Sequence, residues 1–149
     1  MNYPKGHDPL RQYRTVDAYG AAAASDRMQL VLRMMQGALD RIATARGHMR
    51  RSEIAPKGEE LGRAVRMIDG LRSCLDHEKG GEIAANLAAL YDYMTRRLTE
   101  ANLRNEVRPL DEVADLLDEI RSGWEQMAAS PALRVVAATT DDGATRNSA

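Results

Sequence analysis

The stretch LDHEKGGEIAANLAALYDYMTRRLTEANLRN, from Leu75 to Asn105, decides how this chain folds. Two adjacent glycines lie near its start, and the run that follows contains neither proline nor glycine. Apolar residues recur in that run at steps of three and four, which is the period of an amphipathic α-helix. The spacing predicts one long helix whose buried face consists of Ile83, Leu87, Leu90, Tyr91, Met94, Leu98 and Ala101.

The composition of the whole chain is that of a single helical domain. Its 149 residues are enough for one sizeable core, and 44% of them are hydrophobic. The chain has no phenylalanine, and its many Ala, Leu, Met, Arg and Glu residues favour helix over strand. A formal net charge of -1 gives no overall attraction to nucleic acid or to an anionic membrane.

Two helices are predicted before this stretch. Helix 1 follows Ser25 or Asp26, because either side-chain oxygen can accept a free backbone N–H in the first helical turn. A turn is expected between about Arg51 and Gly58, where a proline and a glycine lie close together. Helix 2 follows this turn and ends near Asp76. Gly37 marks either a close contact of helix 1 with a neighbouring helix or a weak spot that the helix tolerates at a cost of ~1 kcal/mol relative to alanine.

Proline and glycine also delimit the second half of the bundle. Helix 3 is expected to begin after Gly80 and Gly81 and to stop before Pro109, because the residue preceding a proline is pushed out of the helical region. Pro109 suits the first turn of helix 4. Ser130 and Pro131 close that helix. Helix 1 is rich in arginine and helix 4 in acids, which favours their being neighbours.

Together these elements predict an all-α fold, an antiparallel up-and-down four-helix bundle formed by residues 25–130. Residues 1–24 form a short N-terminal docking segment, because the few apolar anchors there make a helix that is marginal without a surface to dock on. Residues 131–149 end in the polar sequence TTDDGATRNSA and are predicted to be a disordered tail.

The sequence contains no pattern that indicates catalysis or a metal centre. Di-iron bundles use Glu-x-x-His, but none of His7, His48 and His77 has a glutamate three residues before it. Cys74 is the only cysteine, and its apolar neighbours predict a small buried hydrophobe. Phosphate-binding loops are missing. We therefore expect a protein without enzymatic activity, metal or cofactor.

The chain also lacks signals for a membrane. The N-terminal residues contain no apolar region of the kind that a signal peptide carries, and no run approaches the ~18 apolar residues of a membrane span. A soluble, cytoplasmic protein without membrane insertion is the expectation.

The central stretch resembles the FliS family of flagellar secretion chaperones, above all in GGEIAANLAALYDYM, RRL and EANLRN. A weaker resemblance extends from about Tyr13 to Met127. The resemblance implies a monomeric bundle that binds the disordered C-terminal segment of flagellin, roughly one to one, and prevents premature polymerisation. It further implies that the chaperone delivers this cargo to the flagellar export gate.

The resemblance also implies a cargo groove. In that family an N-terminal tyrosine and a following aliphatic residue dock on the bundle, and RQYRTVDAY is similar. We expect these two side chains to fill part of the groove until flagellin displaces them. Helix 1 departs from the family pattern, with Ser-Asp before it and Met-Met-Gln-Gly inside it. The residues expected to shape the groove are Tyr13, Val16, Met35, Leu87, Leu90, Tyr91, Tyr93 and Met94.

Two other functions stay open. A histidine phosphotransfer bundle carries a mid-helix histidine with Lys three and Gly four positions later, whereas Lys79 and Gly80 follow His77 at two and three positions. A self-associating structural bundle would show the same apolar stripes. Spacing alone also leaves Tyr93 either as a partner anchor or as a cover for the core edge with its hydroxyl in water.

Overall fold

The structure, a computed structural model, describes the backbone of residues 9–129 and the side chains of residues 22–129. Within this part, four α-helices are joined by connections of three residues each. Their bounds are α1 Pro9–Arg50, α2 Ile54–Ser73, α3 His77–Arg104 and α4 Arg108–Ala129. Each helix packs on the next, and α4 packs on α1, so the predicted antiparallel up-and-down bundle is confirmed. The predicted disordered tail lies outside the described residues.

The start of helix 1 was predicted too late. Neither Ser25 nor Asp26 caps α1, because the helix already begins at Pro9 and passes through both. Four consecutive alanines precede these residues, and alanine has the highest helix propensity, so the backbone stays helical where a cap was expected. The side chains of Tyr13 and Val16 lie outside the described part, and docking of residues 1–24 stays a prediction.

The turn between α1 and α2 is shorter than predicted. It contains only three residues, and α2 begins at Ile54, ahead of Pro56 and Gly58. Pro56 is compatible with the first turn of α2, because the first N–H groups of a helix have no hydrogen-bond partner within the helix. The proline nitrogen carries no hydrogen, so no hydrogen bond is lost there. Ser52 reverses the chain with a φ of 57°, in the left-handed region.

Helix α3 begins before the two glycines rather than after them. The side chain of Asp76 accepts hydrogen bonds from the backbone N–H groups of Glu78 (3.1 Å) and Lys79 (3.0 Å), which caps a helix that starts at His77. Gly81 then interrupts the helical geometry with φ 50° and ψ -124°, so a kink separates the first turn from the rest. At the other end, Asn105 adopts the left-handed conformation that terminates many helices.

The core follows the predicted stripes with two exceptions on α3. Ile83 is 71% exposed and Leu90 is 36% exposed, although both were assigned to the buried face. Each precedes a buried residue, Ala84 or Tyr91, by one position, which is about 100° around the helix. The face that packs inward is therefore narrower than the stripe. Buried core side chains include Met35, Ala38, Ile42, Ala45, Met49, Leu61, Ala64, Ile68, Leu71, Tyr91, Met94, Leu98, Ala101, Leu110, Val113 and Leu117.

Glycines bring α1 and α2 close together, as predicted for Gly37. A Cβ at Gly37 would lie 3.2 Å from the sulfur of Met67, and a Cβ at Gly70 would lie 2.7 Å from the terminal methyl of Met34. Each glycine thus accommodates a methionine from the facing helix. Between α1 and α4, an ion pair joins Arg46 to Asp111 with Nε and Oδ1 2.9 Å apart, in agreement with the predicted neighbourhood.

The prediction that Cys74 is buried is wrong. Its side chain is exposed, because α2 ends at Ser73 and Cys74 lies at the C-terminal cap, where the chain leaves the core. Lys57 is instead the buried polar residue of note, with 3% of its surface exposed. Its ammonium donates to the backbone carbonyl of Asn102 (3.1 Å) and to the side-chain oxygen of Asn105 (3.0 Å).

Candidate functional site

An apolar groove of about 1090 Å³ opens at the end of the bundle where α2 connects to α3. The N-terminal half of α1, the first turns of α3 and the C-terminal half of α4 form its walls. The connection between α2 and α3 closes it on one side. Its principal apolar lining residues are Met28, Leu30, Val31, Leu75, Ile83, Ala84, Leu87, Ile120, Trp124 and Met127. Below it, core side chains fill the bundle.

Small residues form part of the groove wall. Gly80, Ala84 and Gly123 all line it, and a Cβ added at Gly123 would meet nothing within 4 Å. The kink at Gly81 sets the first turn of α3 apart from the rest of the helix.

Large apolar side chains at this rim are exposed to solvent. Leu30 is 52% exposed and Ile83 is 71% exposed, while Val31, Leu87 and Trp124 are half-buried. A contiguous apolar surface of this kind on a charged protein marks a place where another polypeptide or ligand binds. The charged residues Arg27, Asp76, Glu78 and Lys79 border it and carry both signs, so they give no net attraction to nucleic acid.

A second depression, about 440 Å³ in volume, lies on the seam between α1 and α4. It is smaller, and the ion-paired Arg46 and Asp111 form part of its lining together with Asp115. A paired and solvated surface needs no partner to cover it. The larger apolar groove is therefore the candidate site.

The predicted groove residues whose side chains are described fall into three groups. Leu87 lines the observed groove. Met35, Tyr91 and Met94 are buried in the core, with at most 2% of their surface exposed. Leu90 and Tyr93 are both 36% exposed on the outer face of α3 and do not line the groove. The side chains of the two N-terminal residues in the set, Tyr13 and Val16, are outside the described part.

Tyr93 connects α3 to α4 rather than pointing only into water. Its hydroxyl donates a hydrogen bond to Glu112, and this bond raises the pKa of the tyrosine and lowers the pKa of the carboxyl. Arg97 also contacts Glu112, with Nη2 and Oε2 3.0 Å apart, and pairs with Glu100 at 2.7 Å. This surface network holds the α3–α4 seam next to the exposed Leu90.

Sequence reasoning missed most of the groove. Neither Leu30 nor Trp124 was predicted to line the groove, and Ile83 was predicted to be buried. One feature of the sequence does indicate an exposed apolar surface. The apolar stripe predicted for α3 is wider than one packing face, and its first residue, Ile83, follows the double glycine by two positions.

In the part of the chain that the structure describes, no three His, Cys, Asp or Glu side chains come together as metal ligands. The same residues include no helix with the length and apolar character needed to cross a bilayer.

Comparisons with known proteins show the family of this chain. The family model described as flagellar protein FliS matches residues 9–131. This chain belongs to the FliS family. A FliS-family relative, flagellar secretion chaperone FliSB of Pseudomonas aeruginosa, is 46% identical over 116 residues, covering 78% of this chain and 92% of that protein. Flagellar secretion chaperone FliS of Salmonella typhimurium is 41% identical over 120 residues, covering 80% and 89% respectively.

More distant FliS relatives extend the similarity. Flagellar secretion chaperone FliS of Bacillus subtilis is 33% identical over 98 residues, which cover 66% of this chain and 72% of that protein. The family match includes all four helices and therefore all the walls of the groove.

Proposed function

We propose that this protein is a cytoplasmic, non-enzymatic export chaperone that binds the disordered C-terminal segment of flagellin. Binding prevents premature polymerisation, and the complex is then delivered to the flagellar export apparatus at its export gate. Membership of the FliS family supports the class of function. The observation that carries the proposal is the open apolar groove, whose rim exposes Leu30 and Ile83 to solvent.

The shape and chemistry of the groove suit an amphipathic segment. A disordered chain that forms a helix can place its apolar face in such a groove and leave its polar face in water. Ordering the chain costs conformational entropy, so the contact has to be long. The groove at one end of the bundle provides one part of that contact. The flagellin segment continues along a second surface of the chaperone.

The outer face of α3 provides this second surface in the proposal. Ile83, Leu87 and Leu90 follow one another at steps of four and three, so they form a line that leads out of the groove along the helix. Tyr93 lies beside the end of this line, where it is exposed and anchored by Glu112. Flagellin would contact these side chains in sequence.

The other predicted site residues have indirect roles in the proposal. Met35, Tyr91 and Met94 pack beneath this surface and hold α1 and α3 in place, since they are buried. Filling of the groove by Tyr13 and Val16 in the free protein remains a prediction.

Two substitutions at exposed leucine and isoleucine positions test the proposal. Ile83→Asp places a charge in the groove, whereas Leu103→Asp places one at a residue that is 84% exposed and lies at the opposite end of α3. We expect Ile83→Asp to weaken flagellin binding by about tenfold or more, measured by titration calorimetry, because desolvating a carboxylate on an apolar surface is unfavourable. Leu103→Asp is the matched control and should bind like the wild type.

A flagellin lacking about 40 C-terminal residues, an extent chosen from the contact that coupled folding requires, should give no binding heat with any variant. Equal affinities for Ile83→Asp and Leu103→Asp would contradict the assignment of the groove. A complex with intact flagellin at a ratio other than one to one would contradict the monomeric chaperone. A stable dimer of the free protein in light scattering would favour the self-associating bundle instead.

A further inference from the structure

We propose that Met34 and Met67 are sites of oxidation by peroxide, and that their conversion to sulfoxides loosens the contact between α1 and α2. Neither residue lines the apolar groove. The inference goes beyond the proposed function and does not rest on it, because it concerns only how two helices of the protein are held together.

Each of these two methionines packs against a glycine of the facing helix. A Cβ placed on Gly37 of α1 would lie 3.2 Å from the sulfur of Met67, which belongs to α2. In the other direction, a Cβ placed on Gly70 of α2 would lie 2.7 Å from the terminal methyl of Met34. Both thioethers therefore lie against the backbone of the facing helix, in the space that a side chain at the glycine would fill.

The solvent-facing side of this helix pair contains three contacts in a row. Met34, Gly37 and Arg41 follow one another along α1 at steps of three and four, so they lie along one line of the helix. Arg41 pairs with Glu60 of α2, with Nη1 and Oε2 3.2 Å apart. The other two contacts in the row each consist of a methionine and a glycine. Two of the three contacts thus depend on a thioether.

Burial separates these two methionines from those of the core. Met34 and Met67 are half-buried and pack at the edge of the core cluster. Oxidation of a methionine requires that the oxidant reach its sulfur, so we expect this pair to react ahead of the buried methionines. At most 8% of the surface is exposed in each buried methionine, namely Met28, Met35, Met49 and Met94.

The reaction is a two-electron oxidation of the thioether sulfur by hydrogen peroxide. The O–O bond breaks, one oxygen bonds to sulfur, and the other leaves as water with both protons of the peroxide. The product is a polar side chain whose new oxygen accepts hydrogen bonds. Backbone N–H groups inside a helix are already bonded within it, so the glycine of the facing helix offers the sulfoxide no donor.

A sulfoxide oxygen without a donor is unfavourable at a packed interface. It has to turn toward water, and the side chain then leaves the glycine against which it packed. Because the two methionines point in opposite directions across the same pair of helices, oxidation of both removes the apolar contacts of this side from α1 and from α2. Only the exposed ion pair between Arg41 and Glu60 then remains there, and such a pair contributes little.

The test measures stability before and after treatment with hydrogen peroxide. All proteins are full-length and carry Cys74→Ser, because the exposed thiol of Cys74 also reacts with peroxide. This parent is compared with Met34→Leu, with Met67→Leu and with the double variant, since leucine has a similar volume and no sulfur. Met127→Leu is the matched control, because Met127 is also half-buried but lies in α4. Peptide mass spectrometry gives the oxidised fraction at each methionine, and urea denaturation gives the midpoint.

In the parent, Met34 and Met67 should be oxidised first, and the urea midpoint should fall by about 0.5 M or more. The double variant should keep its midpoint, each single variant should show an intermediate fall, and Met127→Leu should fall like the parent. Each fall is taken relative to the same protein before peroxide, so any effect of leucine itself cancels. Methionine sulfoxide reductases for both epimers, supplied with a dithiol that becomes a disulfide, should restore the midpoint of the oxidised parent.

An unchanged midpoint in a parent that is oxidised at Met34 and Met67 would overturn the inference. A double variant that loses as much stability as the parent would also overturn it, as would a parent in which the core residue Met35 reacts first. If the double variant does not fold, the single variants and the reductase treatment of the parent decide in the same way. No flagellin is present in these measurements, so their failure leaves the proposed function untouched.

Discussion

Gly81 and Gly123 both interrupt a helical sequence, but the structure requires glycine at only one of them. Gly81 has a φ of 50° and a ψ of -124°, a conformation that residues with a side chain rarely adopt. Gly123 lies inside α4, and a Cβ there would meet no other atom within 4 Å. Gly81 is therefore needed for the kink in α3, whereas Gly123 has room for a side chain.

Alanine substitutions at these two positions should change stability in opposite directions. Gly81→Ala is expected to lower the free energy of unfolding by about 1–3 kcal/mol, because the left-handed backbone becomes strained. Gly123→Ala is expected to raise it by about 0.5–1 kcal/mol, because alanine is the better helix former and has room. Urea denaturation followed by circular dichroism measures both. Destabilisation by Gly123→Ala would show that its surroundings are tighter than described.

Lys57 joins two helices at the end of the bundle opposite the groove. It lies in the first turns of α2, and its ammonium bonds a backbone carbonyl and an asparagine side chain at the C-terminus of α3. A cation at a helix C-terminus is favourable because the last carbonyl groups carry partial negative charge. The buried lysine thus closes α3 and fixes its distance from α2.

Replacing Lys57 with methionine keeps the length of the side chain but removes the donor. The carbonyl of Asn102 then loses its buried partner, and we expect the free energy of unfolding to fall by about 1–3 kcal/mol. Lys79→Met, at the first turn of α3, is the control and should stay within about 0.5 kcal/mol of the wild type. Guanidinium denaturation provides the comparison. Equal stability of the two variants would mean that the hydrogen bonds of Lys57 contribute nothing net.

The buried Tyr91 makes the stability of the folded protein depend on pH in alkaline solution. Only 2% of this side chain is exposed, and burial raises its pKa from 10.0 to about 12. The folded state therefore favours the neutral phenol, and the unfolded state ionises first as the pH rises. The contribution of Tyr91 to stability is complete below pH 10 and is lost between pH 10 and about 12.

This linkage predicts a difference between the wild type and Tyr91→Phe in alkaline solution. The wild type should lose on the order of 2 kcal/mol of unfolding free energy between the two pKa values, in addition to any losses that both proteins share. Tyr91→Phe lacks the ionisable group, so its profile should be flatter by that amount. Denaturant melts at a series of pH values measure the difference. Parallel profiles would contradict the raised pKa.

The number and type of the helices could be predicted from the sequence, because apolar periodicity and proline positions are local properties. Pro109 in the first turn of α4 and the close contact at Gly37 were predicted correctly for this reason. Helix starts were less predictable. The start of α1 depends on the high helix propensity of an alanine run. The start of α3 depends on capping by Asp76, which begins the helix even though two glycines follow shortly after.

The sequence by itself therefore determined a four-helix bundle, its antiparallel order and the family to which the chain belongs. Only the tertiary structure decided which apolar residues are core and which form the groove. Ile83 belongs to the predicted stripe of α3 and is exposed, whereas the next residue, Ala84, lies outside that stripe and is buried. Their difference depends on how α2 and α4 pack against α3, and the spacing along one helix does not encode that packing.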